Sequence, residues 1–339
     1  MDIIIDNKPV PGAPRRAASA FTARDIPKRN HDSINSSIAS TRHWSEIDEE
    51  EHDDPVMVAE YSEDIIDYSL KLEAETMPNP NYMDNQPELD FRMRGILIDW
   101  LIEVHHRFHM LGETLFMAVN LIDRFLTMNV VSLQKFQLVG ITALFIAAKY
   151  EEIVVPPLAS FLYLTDGGYS ANEVKQAERY MLNALKFDVG YANPLNFLRR
   201  ISKADDYDAA SRTLAKYLME MQCVHHKLIQ YPPSLLAAAA LCLARKMINK
   251  GPWDENLVHY SGYYIEQLEP CIAIMIEYMQ DGIAHKAFHA KYASRKMLRV
   301  SVYATDWATK LVRDRVLVAT PSAAASNVNS TTAAAFGDN

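Results

Sequence analysis

A segment rich in alanine and leucine occurs twice in this chain, at residues 137–149 and again at residues 234–246. Its small side chains suit a helix that other helices pack closely around. Repeats this far apart exceed the ~20–50 residues of solenoid units, so each repeat is expected to be a small domain. The chain is therefore predicted to be a tandem of two small helical bundles. Identical residues at aligned positions are Leu138 and Leu235, Ala143 and Ala240, Leu144 and Leu241, Ala147 and Ala244, and Lys149 and Lys246.

Composition narrows the class of protein further. A chain of 339 residues with 49% apolar content and 11 glycines can form about two helix-rich domains. The formal net charge of −9 argues against a nucleic-acid surface. The longest uncharged stretch, residues 136–148, is too short to span a bilayer. The cysteines show no paired spacing, so neither disulfides nor metal ligation is expected. We expect no nucleic acid, membrane, metal or cofactor as partner.

Apolar spacing divides the chain into five parts. Residues 1–55 and 316–339 lack periodicity and are predicted to be disordered tails. Residues 56–76 have helical spacing and are predicted to form an N-terminal helix. A first bundle is predicted over residues 88–190 and a second over 191–315. The predicted helices are 88–109, 113–128, 132–150, 157–165 and 170–186, then 194–203, 208–229, 233–249, 254–260 and 264–280, with further pieces at 284–298 and 302–315.

The helix predicted around Met93 is apolar over most of its circumference. At 100° per residue, Met93, Leu97 and Trp100 share one stripe, and Ile98 begins a second. A helix of this kind is either enclosed or carries a second face for a partner. Arg94 lies beside the second stripe, where an unpaired charge would cost several kcal/mol. The sequence therefore predicts an acidic partner for Arg94.

Comparison of the repeats also isolates two charged residues. Lys149 ends an otherwise uncharged helix, where the helix dipole favours a cation. Glu178 lies within a predicted helix among apolar residues, and the aligned position in the second repeat is Ile272. The two side chains could form a polar pair that awaits a partner. The simpler interpretation is a helix-end lysine and a solvated surface glutamate.

Enzyme motifs are largely lacking in the sequence. It contains no phosphate-binding glycine motif and no serine-hydrolase elbow. His105 and His109, like His285 and His289, have zinc-compatible spacing but no third ligand nearby in sequence. The acidic run Asp205–Asp208 is similar to the magnesium-binding cluster of helical terpenoid synthases, which leaves a metal-dependent lyase as an alternative. The same run also suits the start of a helix. No catalytic residue is predicted.

Six motifs occur in order along the chain: Met93–Leu101, Asn120–Leu126, Gln137–Gly140, Ala147–Glu152, Asn196–Lys203 and Ala290–Ser294. In residues and spacing they resemble the motifs of B-type mitotic cyclins of the fungal kind, over about residues 55–315. Such a series is far more specific than a single short pattern. The resemblance implies an all-α chain of two tandem cyclin folds, each a five-helix bundle, with an N-terminal helix in front, which agrees with the two bundles predicted from the repeat.

The resemblance implies that the chain is not an enzyme but binds and activates a cyclin-dependent Ser/Thr kinase at the G2/M transition and in mitosis. Cyclins hold the C-helix of the kinase in its active position and rearrange the activation loop. Lys149 and Glu178 match the polar anchors for that helix. The kinase-binding residues implied are Lys149, Glu178, Ile146, Tyr150, Leu182, Phe187 and Val189, with Tyr61 and Ile65 of the N-terminal helix.

A second surface implied by the resemblance docks Arg-x-Leu peptides of substrates and inhibitors. The matching residues are Met93, Leu97, Trp100, Glu103 and Gln137. The apolar stripe could bury the peptide leucine for ~1.5–3 kcal/mol, and Glu103 could meet its arginine. The alternative is that this stripe is simply core. Separately, Arg94 and Asp123 match a structural ion pair of the family, which would supply the acid that Arg94 requires.

Family resemblance also suggests properties that these residues do not support by themselves. Ubiquitin-ligase machinery is an expected partner, but no destruction box of R-x-x-L type precedes residue 90, and those at 94–97 and 295–298 fall in predicted helices. Either the start is truncated or turnover uses another signal. Location in nucleus and cytoplasm is expected from the resemblance alone. The main alternative, a transcription factor IIB relative with tandem cyclin folds, is opposed by the acidic balance and the missing cysteine cluster.

Overall fold

The computed structural model describes residues 44–49 and 53–319, and all regular secondary structure in these residues is helical. The prediction of an all-α chain is confirmed, and two five-helix bundles, α2–α6 and α7–α11, follow the N-terminal helix α1. The helices are α1 Ser62–Thr76, α2 Phe91–Arg107, α3 Gly112–Met128, α4 Leu133–Glu151, α5 Leu158–Tyr163, α6 Ala171–Ala184, α7 Pro194–Lys203, α8 Ala209–Val224, α9 Pro233–Met247, α10 Glu255–Ser261, α11 Ile265–Gln280, α12 Lys286–Tyr292 and α13 Val300–Ala319.

Helix α4 is the centre of the first bundle. Its residues from Leu138 to Ala148 are all buried, and α2, α3, α5 and α6 pack around it. A Cβ atom added at Gly140 would lie 2.8 Å from Cδ1 of Leu97, so glycine allows α2 to approach α4 closely. Helix α6 begins with a capping box, in which Ser170 and Glu173 each satisfy a backbone amide of the other. The start of α6 thus follows from local chemistry.

Helix α9 has the same central place in the second bundle. It begins at Pro233, where the missing N–H costs nothing because first-turn amides have no intrahelical partner. Helices α7, α8, α10 and α11 pack against it. The two central helices contain the repeated segments, which confirms the tandem arrangement. Two further helices extend the second bundle: α12 packs against α2 and α13, and α13 packs against α8 and α11.

Several helix ends differ from the predictions. Helix α8 ends at Val224 rather than at 229, because His225 adopts an extended backbone and a 3₁₀ turn follows. The helix predicted over 284–298 is broken, since α12 ends at Tyr292 and a separate 3₁₀ turn comes after it. The last helix continues past the predicted end at 315.

The chain before α1 also differs from the prediction of a disordered tail. At residues 44–49 it contacts the second bundle, where Asp48 pairs with Arg200 and Lys203. Composition alone could not show that this acidic segment has basic partners far along the chain. Most of the two predicted tails lies outside the described residues. Among the helices that the structure describes, none has the length and apolar character needed to cross a membrane.

Candidate functional site

Arg94 and Asp123 form a bidentate ion pair in the core of the first bundle. Arg94 Nε and a terminal nitrogen donate to the two carboxylate oxygens, each at 2.7 Å, and the Arg94 side chain is fully buried. The other terminal nitrogen donates to the carbonyl of Cys223 on α8 at 2.7 Å. Burial lowers the pKa of Arg94, but the Asp123 carboxylate raises it by more, so the guanidinium stays charged. This pair joins α2, α3 and the second bundle, which is a structural role.

Lys149 and Glu178 lie side by side at the surface of the first bundle. Lys149 is in the last turn of α4, Glu178 is on α6, and their side chains form an ion pair. The Lys149 side chain is 43% exposed and that of Glu178 is 13% exposed. The ammonium also lies 4.5 Å from the centroid of the Phe145 ring. The two residues therefore are not independent solvated charges but a joined cation and acid within reach of a partner.

Apolar residues predicted to accompany this pair lie at different depths. Ile146, one turn before Lys149, is buried, and Leu182, one turn after Glu178, is half-buried. Val189 is half-buried as well. Tyr150 and Phe187 are 59% and 64% exposed. The arrangement has a buried base and exposed aromatic rings, which is typical of a surface that binds another protein.

Phe187 is presented by a strained turn that follows α6. Lys186 and Phe187 have positive φ angles of 55° and 58°, a conformation that costs about 1–2 kcal/mol for residues other than glycine. The Phe187 amide donates to the carbonyl of Leu182 at 2.8 Å, and Arg124 donates to the carbonyl of Asp188 at 2.9 Å. These two hydrogen bonds hold the strained turn in place.

Exposed apolar residues occur at two further places. Ile153 and Val154, absent from the predicted site, are 99% and 83% exposed in the loop after α4. The sequence could have indicated Ile153 and Val154 only as two adjacent β-branched residues that lie outside any helical stripe. On the N-terminal side, Tyr61 and Ile65 are 51% and 49% exposed, and Tyr68, one turn further, is 64% exposed. The start of the N-terminal helix therefore presents an apolar face to solvent.

The stripe predicted to dock peptides is only partly at the surface. Leu97 is 7% exposed and packs over Gly140, so for this residue the core interpretation is correct. Ile96, absent from the predicted patch, is 62% exposed. It lies three residues after Met93 and four before Trp100, a helical spacing that could have identified it. Of the remaining predicted residues, Met93, Trp100 and Gln137 are half-buried and Glu103 is exposed.

The acidic run that suggested a lyase has structural partners. Asp205 is buried and pairs with Arg245 and, at 2.9 Å, with Lys250. Asp208 accepts a hydrogen bond from the Ser211 amide at 2.7 Å and caps the start of α8. Over the part of the chain that the structure describes, no group of three or more histidine, cysteine or acidic side chains could hold a metal ion. These carboxylates therefore stabilise the second bundle.

The first of the two histidine pairs does not have the arrangement that its spacing suggested. Helix α2 ends at Arg107, so His109 lies beyond it and does not share a helix face with His105. The ring of His105 contacts the carbonyl of Leu111 at 2.7 Å. Burial, with a contribution from Lys291, lowers the pKa of His105 to about 4. Its ring is therefore neutral near pH 7.

Two protein-family comparisons match this architecture. The cyclin N-terminal domain family matches residues 64–190, and the cyclin C-terminal domain family matches residues 192–306. The boundary between the matches falls between α6 and α7, where the two bundles meet. Neither match is to a catalytic family. The chain belongs to the cyclin family.

Individual relatives place it among the B-type, G2/mitotic-specific cyclins of fungi. It is 55% identical over 288 residues to the G2/mitotic-specific cyclin cdc13 of Schizosaccharomyces pombe and 51% identical over 266 residues to the G2/mitotic-specific cyclin-B of Emericella nidulans. These alignments cover 85% and 78% of this chain but 59% and 56% of the relatives. The chain thus spans less than two thirds of their length.

A solved structure agrees on the fold. A viral cyclin from herpesvirus saimiri superposes with a TM-score of 0.57 at 17% identity, covering 62% of this chain and 94% of that one. At this identity the similarity concerns the fold alone.

Proposed function

We propose that this chain is the regulatory subunit of a cyclin-dependent Ser/Thr protein kinase, which it binds and activates without catalysing any step itself. The observation that carries the proposal is an exposed apolar surface beside the Lys149–Glu178 ion pair. Its burial against a kinase would contribute apolar stabilisation, and the two charged groups would add strong hydrogen bonds. We call this the anchor surface: Lys149, Glu178, Ile146, Tyr150, Leu182, Phe187 and Val189.

Activation by such a subunit is a shift in population. The kinase alone samples an inactive and an active arrangement, and a partner changes their ratio only by its difference in affinity for the two. A rigid anchor surface that fits the active arrangement supplies that difference. Moving an equilibrium from 1:99 to 99:1 requires about 5.5 kcal/mol of differential binding. That amount is within what a protein interface of ordinary size provides.

Replacement of both Lys149 and Glu178 by alanine tests the anchor surface. The double variant is expected to lose co-purification with the kinase, because both polar contacts to the kinase are removed together. Lys246→Ala is the matched control, since Lys246 occupies the aligned, exposed position in the second bundle. The measurement is a pull-down of kinase from purified components. Full retention of the kinase by the double variant would refute the assignment.

We further propose that α2 docks Arg-x-Leu segments of substrates and inhibitors. Ile96 and Trp100 would bury the leucine, and the exposed Glu103 would pair with the arginine. Ile96→Ala and Trp100→Ala should each lower the affinity for a fluorescent Arg-x-Leu peptide about tenfold. This is the loss expected when part of a buried apolar side chain is removed. Ile283→Ala, a similarly exposed isoleucine outside α2, is the control. Equal loss of peptide binding and kinase assembly would contradict the docking role, because it would show that the substitutions disturb the fold of α2 as a whole.

The kinship with G2/mitotic-specific cyclins supports a more specific proposal about timing. We propose that the complex acts at the G2/M transition and in mitosis, and that it is located in nucleus and cytoplasm. We also propose that ubiquitin-ligase machinery directs the degradation of this chain. Histone phosphorylation by the complex isolated at successive cell-cycle stages tests the timing. Constant activity through the cycle would contradict it.

A further inference from the structure

Residues 44–49, which we call the strap, lie against helix α10 of the second bundle. The Trp44 ring stacks on that of His259, with 4.2 Å between centroids and 12° between planes. The carbonyl of Ser45 accepts a hydrogen bond from the Tyr260 hydroxyl at 2.8 Å, across 215 positions in sequence. The strap is thus attached to the fold by ring stacking and by its backbone.

One carboxylate connects the strap to two helices. Asp48 accepts hydrogen bonds from Arg200 at 2.5 Å and Lys203 at 2.9 Å, both on α7, and from Ser62, the first residue of α1, at 2.9 Å. The three charged side chains are 11–16% exposed. Burial raises the pKa of Asp48, but the hydrogen bonds from Arg200 and Lys203 lower it by more, so the group is ionised near pH 7. Without Asp48, the mostly buried Arg200 and Lys203 would lose the carboxylate that compensates their charge. A buried charge left without its partner costs folding free energy.

Helix α1 is also fastened near its other end. Glu73 accepts hydrogen bonds from the amide and the hydroxyl of Ser234, at 2.9 and 2.8 Å, at the start of α9. Of the 15 residues in α1, only Ile66, Glu73 and Thr76 are buried. Apolar packing of α1 is confined to Ile66 and the half-buried Leu70 and Leu72. The first turn, with Tyr61 and Ile65 exposed, therefore depends on the polar contact to Asp48 for its position. A free helix of this length is only marginally stable in water.

The geometry points to Asp48 as a positioning residue for kinase binding. By joining the first residue of α1 to α7, it holds Tyr61 and Ile65 in one orientation before the partner arrives. Preorganisation of this kind lowers the entropic cost of association. The inference rests on the proposed kinase-binding function, in which Tyr61 and Ile65 contact the kinase. It assigns to the strap a role that does not require contact between Asp48 and the kinase.

The test compares Asp48→Asn with Glu49→Gln. Both substitutions remove one negative charge, but Glu49 is exposed and Asp48 carries the contacts to α1 and α7. In the free chain, the amides of residues 62–70 should exchange with solvent at least tenfold faster in Asp48→Asn. The kinase Kd should rise about tenfold. Glu49→Gln should change neither quantity, and Asp48→Glu, which keeps the carboxylate, should restore most of the affinity.

Two results would overturn the inference. One is a wild-type Kd for Asp48→Asn with unchanged exchange in α1. The other is a loss of exchange protection spread over both bundles with a lower melting temperature, which would make Asp48 a residue of general stability. If the wild-type chain binds no kinase, the proposed function fails. Exchange in the free chain then still decides whether Asp48 holds α1 in place.

Discussion

Glu73 illustrates at the scale of one residue how a buried acid links stability to pH. Its carboxylate accepts two hydrogen bonds from Ser234, whose hydroxyl also lies 2.7 Å from that of Tyr263. Burial raises the pKa of Glu73 to about 7, although the hydrogen bonds from Ser234 lower it. The usual value is 4.5. The folded chain therefore holds this proton more tightly than the unfolded chain does.

This difference predicts a stability that decreases as pH rises. The contribution of Glu73 is fully present below about pH 4.5 and is lost as pH approaches 7. In Glu73→Gln the side chain does not titrate, so the decrease in unfolding free energy between pH 5 and pH 8 should be about 2 kcal/mol smaller than in the wild type. Urea denaturation at pH 5 and pH 8 measures the unfolding free energy of both proteins. The contributions of the other titrating groups are the same in both and cancel in the comparison. Identical pH dependence of the two proteins would contradict the raised pKa of Glu73.

Single residues also show what sequence can and cannot predict. The need of Arg94 for an acid follows from the cost of burying a charge, but only the family resemblance identified Asp123 as that acid. Helical spacing places Met93, Leu97 and Trp100 on one stripe of α2. It could not show that α4 covers Leu97 while Ile96 stays exposed, because burial depends on a helix that arrives from elsewhere in the chain.

At the scale of helices, boundaries were predictable where local chemistry determines them. The prolines before α9 and the Ser170–Glu173 capping box before α6 act within a few residues, and the predicted starts fall within one residue of the observed ones. The end of α8 depends instead on His225, whose ring lies 5.2 Å from that of Tyr278 on α11. A distant contact of this kind leaves no local pattern, so the predicted end was too late.

The turn after α6 has a conformation that depends on contacts from another helix. Its left-handed residues, Lys186 and Phe187, are neither glycine nor asparagine, so composition gives no indication of the conformation. Contacts from Arg124 on α3 to Asp188 stabilise the turn across the bundle. The anchor surface is therefore an assembled feature: α4 supplies Lys149, α6 supplies Glu178, and this turn supplies Phe187.

At the scale of the whole molecule, α2 connects the two cyclin folds. Arg94 donates to the Cys223 carbonyl, and the Asp99 carboxylate accepts from the amides of Ala287 and Phe288 at 3.1 and 2.9 Å, at the start of α12. Asp99 on α2 thus faces the second fold. Nothing in the sequence indicated its partner, which lies 188 positions away. The strap escaped prediction for the same reason.

The proposed function requires that the first bundle activate a kinase by binding its active arrangement. The most direct test mixes the purified chain with a purified, inactive cyclin-dependent kinase subunit and follows histone phosphorylation. We predict that the wild-type chain at saturating concentration raises the rate about a hundredfold, as expected when a state populated near 1% becomes dominant, and that Lys149→Ala with Glu178→Ala does not. A kinase that remains as inactive with the wild-type chain as without it would show that the chain is not an activating subunit.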